Sequence, residues 1–238
     1  MQRMAERPGW LKDYRDRWLW EKARLKSRFT AFYQFMAVKY FMVRTEHPAT
    51  VQAMGFLERL QYRLFSWYNF EMWSVTKIAD RLYRDMYLAL ASGDIDSINN
   101  KLKKDISQSL KSRVLSRGKN TEAVWTLDKY HHRPRLVAYS VALIDPNKPK
   151  WAQSYMQQAV VELDTDQSLT RRKRTLEKQA ETAGQNTARR VREYFVIQKS
   201  VIDGVGEDWK IWGMTRPTTI QDVRRDLNKQ MGLSDDIY

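Results

Sequence analysis

The apolar residues of this chain follow a helical period in its first half and a two-residue period in its second, and that one change limits the fold. Across residues 56–91, Leu60, Leu64, Tyr68, Met72, Val75, Ala79, Leu82, Met86 and Leu90 recur at steps of three and four, the spacing of one helical stripe. Ser92-Gly93 supplies a stop, because glycine adopts the left-handed conformation that closes a last turn. Asp94 is placed to cap the next helix and Asp96 to sit near its positive end. That helix buries Ile95, Ile98, Leu102, Ile106 and Leu110 and shows Lys101, Lys103, Lys104 and Lys111 to solvent.

From residue 122 alternation takes over. Residues 123–130, 135–144, 155–165, 191–202 and 209–215 read as strands, with turns at 145–149 and 203–206. The last pair reads as a hairpin, which makes its strands antiparallel. Thr219 followed by Asp222 signals a final helix over about 219–231. Helices followed by a run of strands predict an α+β fold, N-terminal helices packed on a curved antiparallel sheet. Three regions follow: a basic, aromatic, mostly helical extension over 1–55, the helix-and-sheet domain over 56–216, and a C-terminal helix and tail over 217–238. Residues 166–190 read as a long, polar, basic insertion between strands.

The balance of 42 Lys and Arg against 28 Asp and Glu, a formal +14, predicts a polyanionic partner, nucleic acid or an acidic membrane surface. The chain has no cysteine and three histidines, which leaves few groups for metal or acid–base chemistry. His131 and His132 are adjacent on a strand end and point to opposite faces, so no metal site is assigned. Gly204 and Gly206 lack the third glycine and the following helix of a nucleotide fingerprint. The most apolar stretch, 29–43, would reach only about 22 Å as a helix, short of a hydrocarbon core of about 30 Å.

Arg171, Arg172, Lys173, Arg174, Lys178, Arg189 and Arg190 in the insertion, with Lys103 and Lys104 on the second helix, are the candidate phosphate contacts. No base-reading motif accompanies them, so an RNA contact here reads shape and backbone. Trp18, Trp20, Phe29, Phe32, Phe35 and Phe41 in the extension suit a membrane interface or an RNA surface, and for the helix over 29–43 burial against the main domain is the competing reading. Trp209, Trp212 and Tyr194 are candidates for an apolar pocket or for ordinary core.

Four segments in order carry a family resemblance. They are Tyr-Arg-Asp-Met-Tyr-Leu-Ala-Leu-Ala-Ser-Gly-Asp at 83–94, Gln-Gln-Ala-Val-Val-Glu-Leu at 157–163, Glu-Tyr-Phe-Val-Ile at 193–197 and Trp-Lys-Ile-Trp-Gly at 209–213. The series resembles the C-terminal domain of the matrix-side tether of the mitochondrial protein-import motor, the TIM-forty-four-like domain. It is more similar to that domain's relatives on the mitochondrial ribosome, the large-subunit protein of the L-forty-five type and the fungal inner-membrane ribosome receptor. The likeness spans roughly residues 60–216, and the insertion and the extension depart from the compact domain.

The resemblance implies a cone-shaped helix-and-sheet domain with an apolar pocket, no catalysis, no cofactor and no small-molecule substrate. It implies peripheral attachment to the matrix side of the inner membrane. Its partners would be ribosomal RNA and large-subunit proteins near the exit tunnel, and the membrane insertase that receives nascent chains. An adaptor of the presequence import motor is the alternative, and that architecture calls for a longer arm than the 55 residues before this domain. An enzyme on the same scaffold would need His, Asp or Tyr groups converging in the pocket, where the inward strand positions are mainly Val, Ile, Leu, Trp and Phe.

Overall fold

The computed structural model describes residues 13–42, 48–65, 72–117, 121–145, 147–149, 152, 154–173, 185–203 and 205–230. The order is α1 (Tyr14–Met42), α2 (Pro48–Ala53), α3 (Phe56–Phe65), α4 (Met72–Ser92), a 3₁₀ helix (Asp96–Lys101) and α5 (Lys104–Ser116). Strands β1 (Thr121–Tyr130), β2 (Arg135–Leu143), β3 (Tyr155–Lys173), β4 (Gln185–Ile202), β5 (Val205–Gly206) and β6 (Lys210–Thr215) follow, then α6 (Ile220–Gln230). The predicted α+β class holds, with helices on a curled antiparallel sheet.

β3 is the spine of the sheet. One edge pairs with β4 over nearly its whole length, from Tyr155↔Val201 to Arg171↔Gln185. The other edge is shared end to end by β2, opposite residues 155–162, and β1, opposite residues 165–173. β6 and β5 line the outer edge of β4 opposite residues 194–202. Alternation then sorts the side chains. Ala159, Val161 and Leu163 of β3 and Phe195 and Ile197 of β4 form one buried layer with Val75, Ala79, Leu82, Tyr83 and Met86 of α4.

The predicted stop and caps are present. Gly93 has φ +84° and its N–H donates to Ala89 at 2.9 Å. The Ser97 N–H donates to Asp94 Oδ1 at 3.2 Å, and Thr219 and Asp222 form a reciprocal capping box. Three expectations change. The helix after Asp94 is broken at Leu102–Lys103, because the Lys103 N–H donates to the Ile211 carbonyl at 3.0 Å and Leu102 bridges β6; the predicted apolar set still packs inward. Leu60 is 44 % exposed, since a helical stripe shows what a helix can bury and not what covers it.

The third correction concerns the insertion. Residues 166–173 and 185–190 are not a connection but the continuation of β3 and β4, in unbroken register. Asp166, Ser168 and Thr170 leave one face polar, and on the other Leu169 and the buried Gln167 pack with Trp125 of β1, so the apolar alternation is too sparse to read as a strand. α1 packs against β2 and α6, burying Arg17 and Trp20, and Asp16 pairs with Arg224 of α6.

Candidate functional site

The extended half of the sheet carries the basic positions on its central strands. Arg171, Arg172 and Lys173 end β3, opposite Ala123, Glu122 and Thr121 of β1. Arg174 and Lys178 lie outside the described residues. Arg189 and Arg190, both exposed, stand opposite Gln167 and Asp166. From Asp166 to Lys173 the strand runs about 23 Å, so these cations mark a basic band along one half of the sheet.

Lys103 and Lys104 do not join that band. Lys103 Nζ reaches Ser200 Oγ at 3.4 Å, ten residues down β4 from Arg190, about 33 Å along the strand. On the same helical segment, Lys101 pairs with Asp85 at 2.8 Å and Lys111 pairs with Asp96. Of the aromatic candidates, Trp18, Phe29 and Phe32 are exposed and Trp20 is buried, a packing residue of α1 rather than a contact surface. The Phe35 and Phe41 side chains lie outside the described residues.

Arg190 and Arg192 converge on Asp164 from one face of β4. Arg190 Nε and Nη2 donate to Oδ1 and Oδ2 at 2.9 Å each, and Arg192 Nη2 donates to Oδ2 at 2.8 Å. The Arg190 hydrogen bonds first, with Arg192, hold the Asp164 carboxyl well below the usual carboxylate range.

The other face of the same strands carries a polar network that sequence reading missed. Glu193 accepts from the Tyr83 hydroxyl and, at 2.8 Å, from the Tyr87 hydroxyl. Gln167 donates to the Tyr83 oxygen and to Thr165 Oγ1 at 2.9 Å, and accepts from Trp125 Nε1 at 2.8 Å. Burial and the neighbouring Glu193 push both tyrosine hydroxyls upward, so both stay protonated donors. Two signals were available. Tyr83 and Tyr87 share a helix face four residues apart, and Glu193 has the inward parity of Phe195 and Ile197.

Beside this network lies a cleft of about 390 Å³, lined by Tyr87, Leu90, Ala91, Trp125 and Leu169, with Arg117 and Arg189 among its charged neighbours. It is not the expected pocket. Trp209 is core, Tyr194 is buried outside that core cluster and Trp212 is 46 % exposed. One turn before Tyr83 on α4, Asp80 accepts from the Tyr130 hydroxyl and pairs with Arg84 at 3.3 Å. Burial, then that hydrogen bond, pushes the Tyr130 hydroxyl up to about 12. His131 Nε2 lies 2.8 Å from Asp166 Oδ1, while His132 is exposed. Among the described residues no three of His, Cys, Asp or Glu gather to hold a metal ion.

No helix is long and apolar enough to cross a membrane, among the described residues. No curated protein matches the chain. A family model described as MBA1-like protein matches residues 54–231, from α3 through α6, and leaves α1 outside. That family is mitochondrial and ribosome-associated. With three quarters of its length in the match, this chain belongs to the MBA1-like protein family.

Proposed function

We propose that the protein is a non-catalytic factor of the mitochondrial large ribosomal subunit. It binds ribosomal RNA near the exit tunnel and holds the ribosome at the matrix face of the inner membrane, where nascent chains pass to the insertase. On this reading it is kin to the large-subunit protein of the L-forty-five type and shares its domain with the import-motor tether. The observation that carries the RNA part is the basic band. β3 and β4 run on past the layer of Ala159, Val161 and Leu163, and Arg171, Arg172 and Lys173 end the longer strand. Guanidinium groups suit phosphate oxygens, and Lys adds charge without geometry. The tyrosine–glutamate network is bonded within itself and serves packing on this reading.

The test is co-sedimentation with purified mitochondrial large subunits through sucrose, with salt raised in steps. Parallel samples carry Arg171→Glu, Arg172→Glu, Lys173→Glu and Arg174→Glu together. The reading expects co-migration at low salt that falls steeply with salt and with the substitutions. No co-migration at any salt overturns it and favours the import-motor adaptor.

A further inference from the structure

Helix α1 lies outside the family match, and its exposed side is sorted by chemistry. Tyr14, Trp18, Leu25, Phe29, Phe32 and Tyr33 are all exposed, from 56 % at Leu25 to 72 % at Tyr33. At 100° per residue they fall within an arc of about 100°, and the buried Arg17 and Trp20 lie about 140° round the helix. Asp16 and Glu21 of α1 are both occupied: Asp16 by Arg224, and Glu21 by Arg17 at 2.9 Å and Arg24 at 3.6 Å. Lys22 and Arg15 lie within that arc and Lys26 and Arg28 just beside it, and Lys22 Nζ lies 5.1 Å from the centre of the Trp18 ring.

We propose that this stripe is a lipid-contact surface, on which α1 lies in the plane of an anionic bilayer with its rings among the acyl chains and its cations at the headgroups. The proposal rests on the tethering role above and names the surface and the lipid charge that role would use. Two features choose lipid over other occupants. Leu25 has no ring to stack on a base, yet it sits in the middle of the stripe, and a bilayer takes rings and aliphatics alike. A second copy would set Lys22, Lys26 and Arg28 against their own like charges, whereas long basic side chains reach headgroups from a helix lying flat.

The experiment is flotation of the full chain with vesicles of pure phosphatidylcholine, and with vesicles of about four parts phosphatidylcholine to one part phosphatidylglycerol. Trp18→Ser, Phe29→Ser and Phe32→Ser are combined in one variant, and Lys22→Glu and Lys26→Glu in another; all five positions are exposed, and unfolding midpoints confirm that both variants fold. Wild type is expected to float with the anionic vesicles, the ring variant to lose at least about tenfold in partitioning, and the charge variant to lose the preference for anionic lipid. Both variants should co-sediment with large subunits as wild type does. A wild type that stays off vesicles, or a ring variant that floats unchanged, overturns the proposal while leaving ribosome docking standing. Loss of ribosome binding with vesicle binding intact overturns it in favour of an RNA-stacking face, and a concentration-dependent dimer dissolved by the ring variant overturns it in favour of self-association.

Discussion

Arg190 on β4 grips both carboxylate oxygens of Asp164 on β3, with hydrogen bonds of 2.9 Å to each. Asp164 is only 2 % exposed, and Arg192 completes its shell. A carboxyl depressed in the folded state binds its proton more weakly there than in the unfolded chain. Its stabilisation is therefore present above about pH 4, the unfolded value, and is lost as pH falls toward the lower folded value. Asp164→Asn should be less stable than wild type at pH 7, and the gap should narrow progressively as pH falls below about 4. Urea midpoints measured across pH check this; a gap that is constant with pH would locate the cost in packing.

Glu193 accepts from both the Tyr83 and the Tyr87 hydroxyls within the helix–sheet core. Glu193→Ala strands two donors and should cost about 2–4 kcal/mol, less than two full penalties because the cleft admits water to Tyr87. Glu193→Gln keeps an acceptor and should cost less. Both tyrosines are raised in the folded state, so their stabilisation is intact below about pH 10 and falls as pH rises above it. Tyr83→Phe combined with Tyr87→Phe should flatten that alkaline decline, measured by circular dichroism at fixed urea.

Gly213 has φ +142°, and a Cβ there would meet Ile106 Cδ1 at 3.2 Å, beside the bulge where β4 shifts register against β6. Gly213→Ala should destabilise by about 1–3 kcal/mol, part backbone strain and part contact. Pairing it with Ile106→Val relieves the contact and should recover part of the loss in a thermal melt, leaving the backbone share.

Much of the fold was legible because burial imposes a period. α4 shows its stripe in Val75, Ala79, Leu82 and Met86, and β3 its alternation in Ala159, Val161 and Leu163. The outer half of β3 and β4 was not legible. Ser168, Thr170, Ala188 and Arg190 are wetted where Val196 and Val161 are buried, so polar residues there gave the pattern of a loop. The break at Leu102–Lys103 depends on a carbonyl from Ile211, more than a hundred residues away, and no local pattern announces it. The basic residues were legible as a set, but their division between the two ends of β4 was not, because charge has no period. Trp18 and Trp20 differ in burial although they are neighbours in sequence, since the packed side of α1 is chosen by β2 and α6.

Arg189 and Arg190 are adjacent on β4 and face opposite sides of the sheet, which gives them separable roles. Arg190 is committed to Asp164, whereas Arg189 lines the cleft beside the basic band. Arg190→Ala removes a half-exposed partner of a buried carboxylate and should lower the melting temperature measurably. Arg189→Ala should leave the melting temperature unchanged, because an exposed cation contributes little to folding. If Arg189 meets a phosphate, its removal should weaken large-subunit binding and reduce the slope of log affinity against log salt by about 0.7–0.9. Melting curves and salt titrations on the two variants decide the matter. A salt slope that changes for Arg190→Ala and not for Arg189→Ala would put the RNA on the Asp164 face of the sheet, away from the cleft.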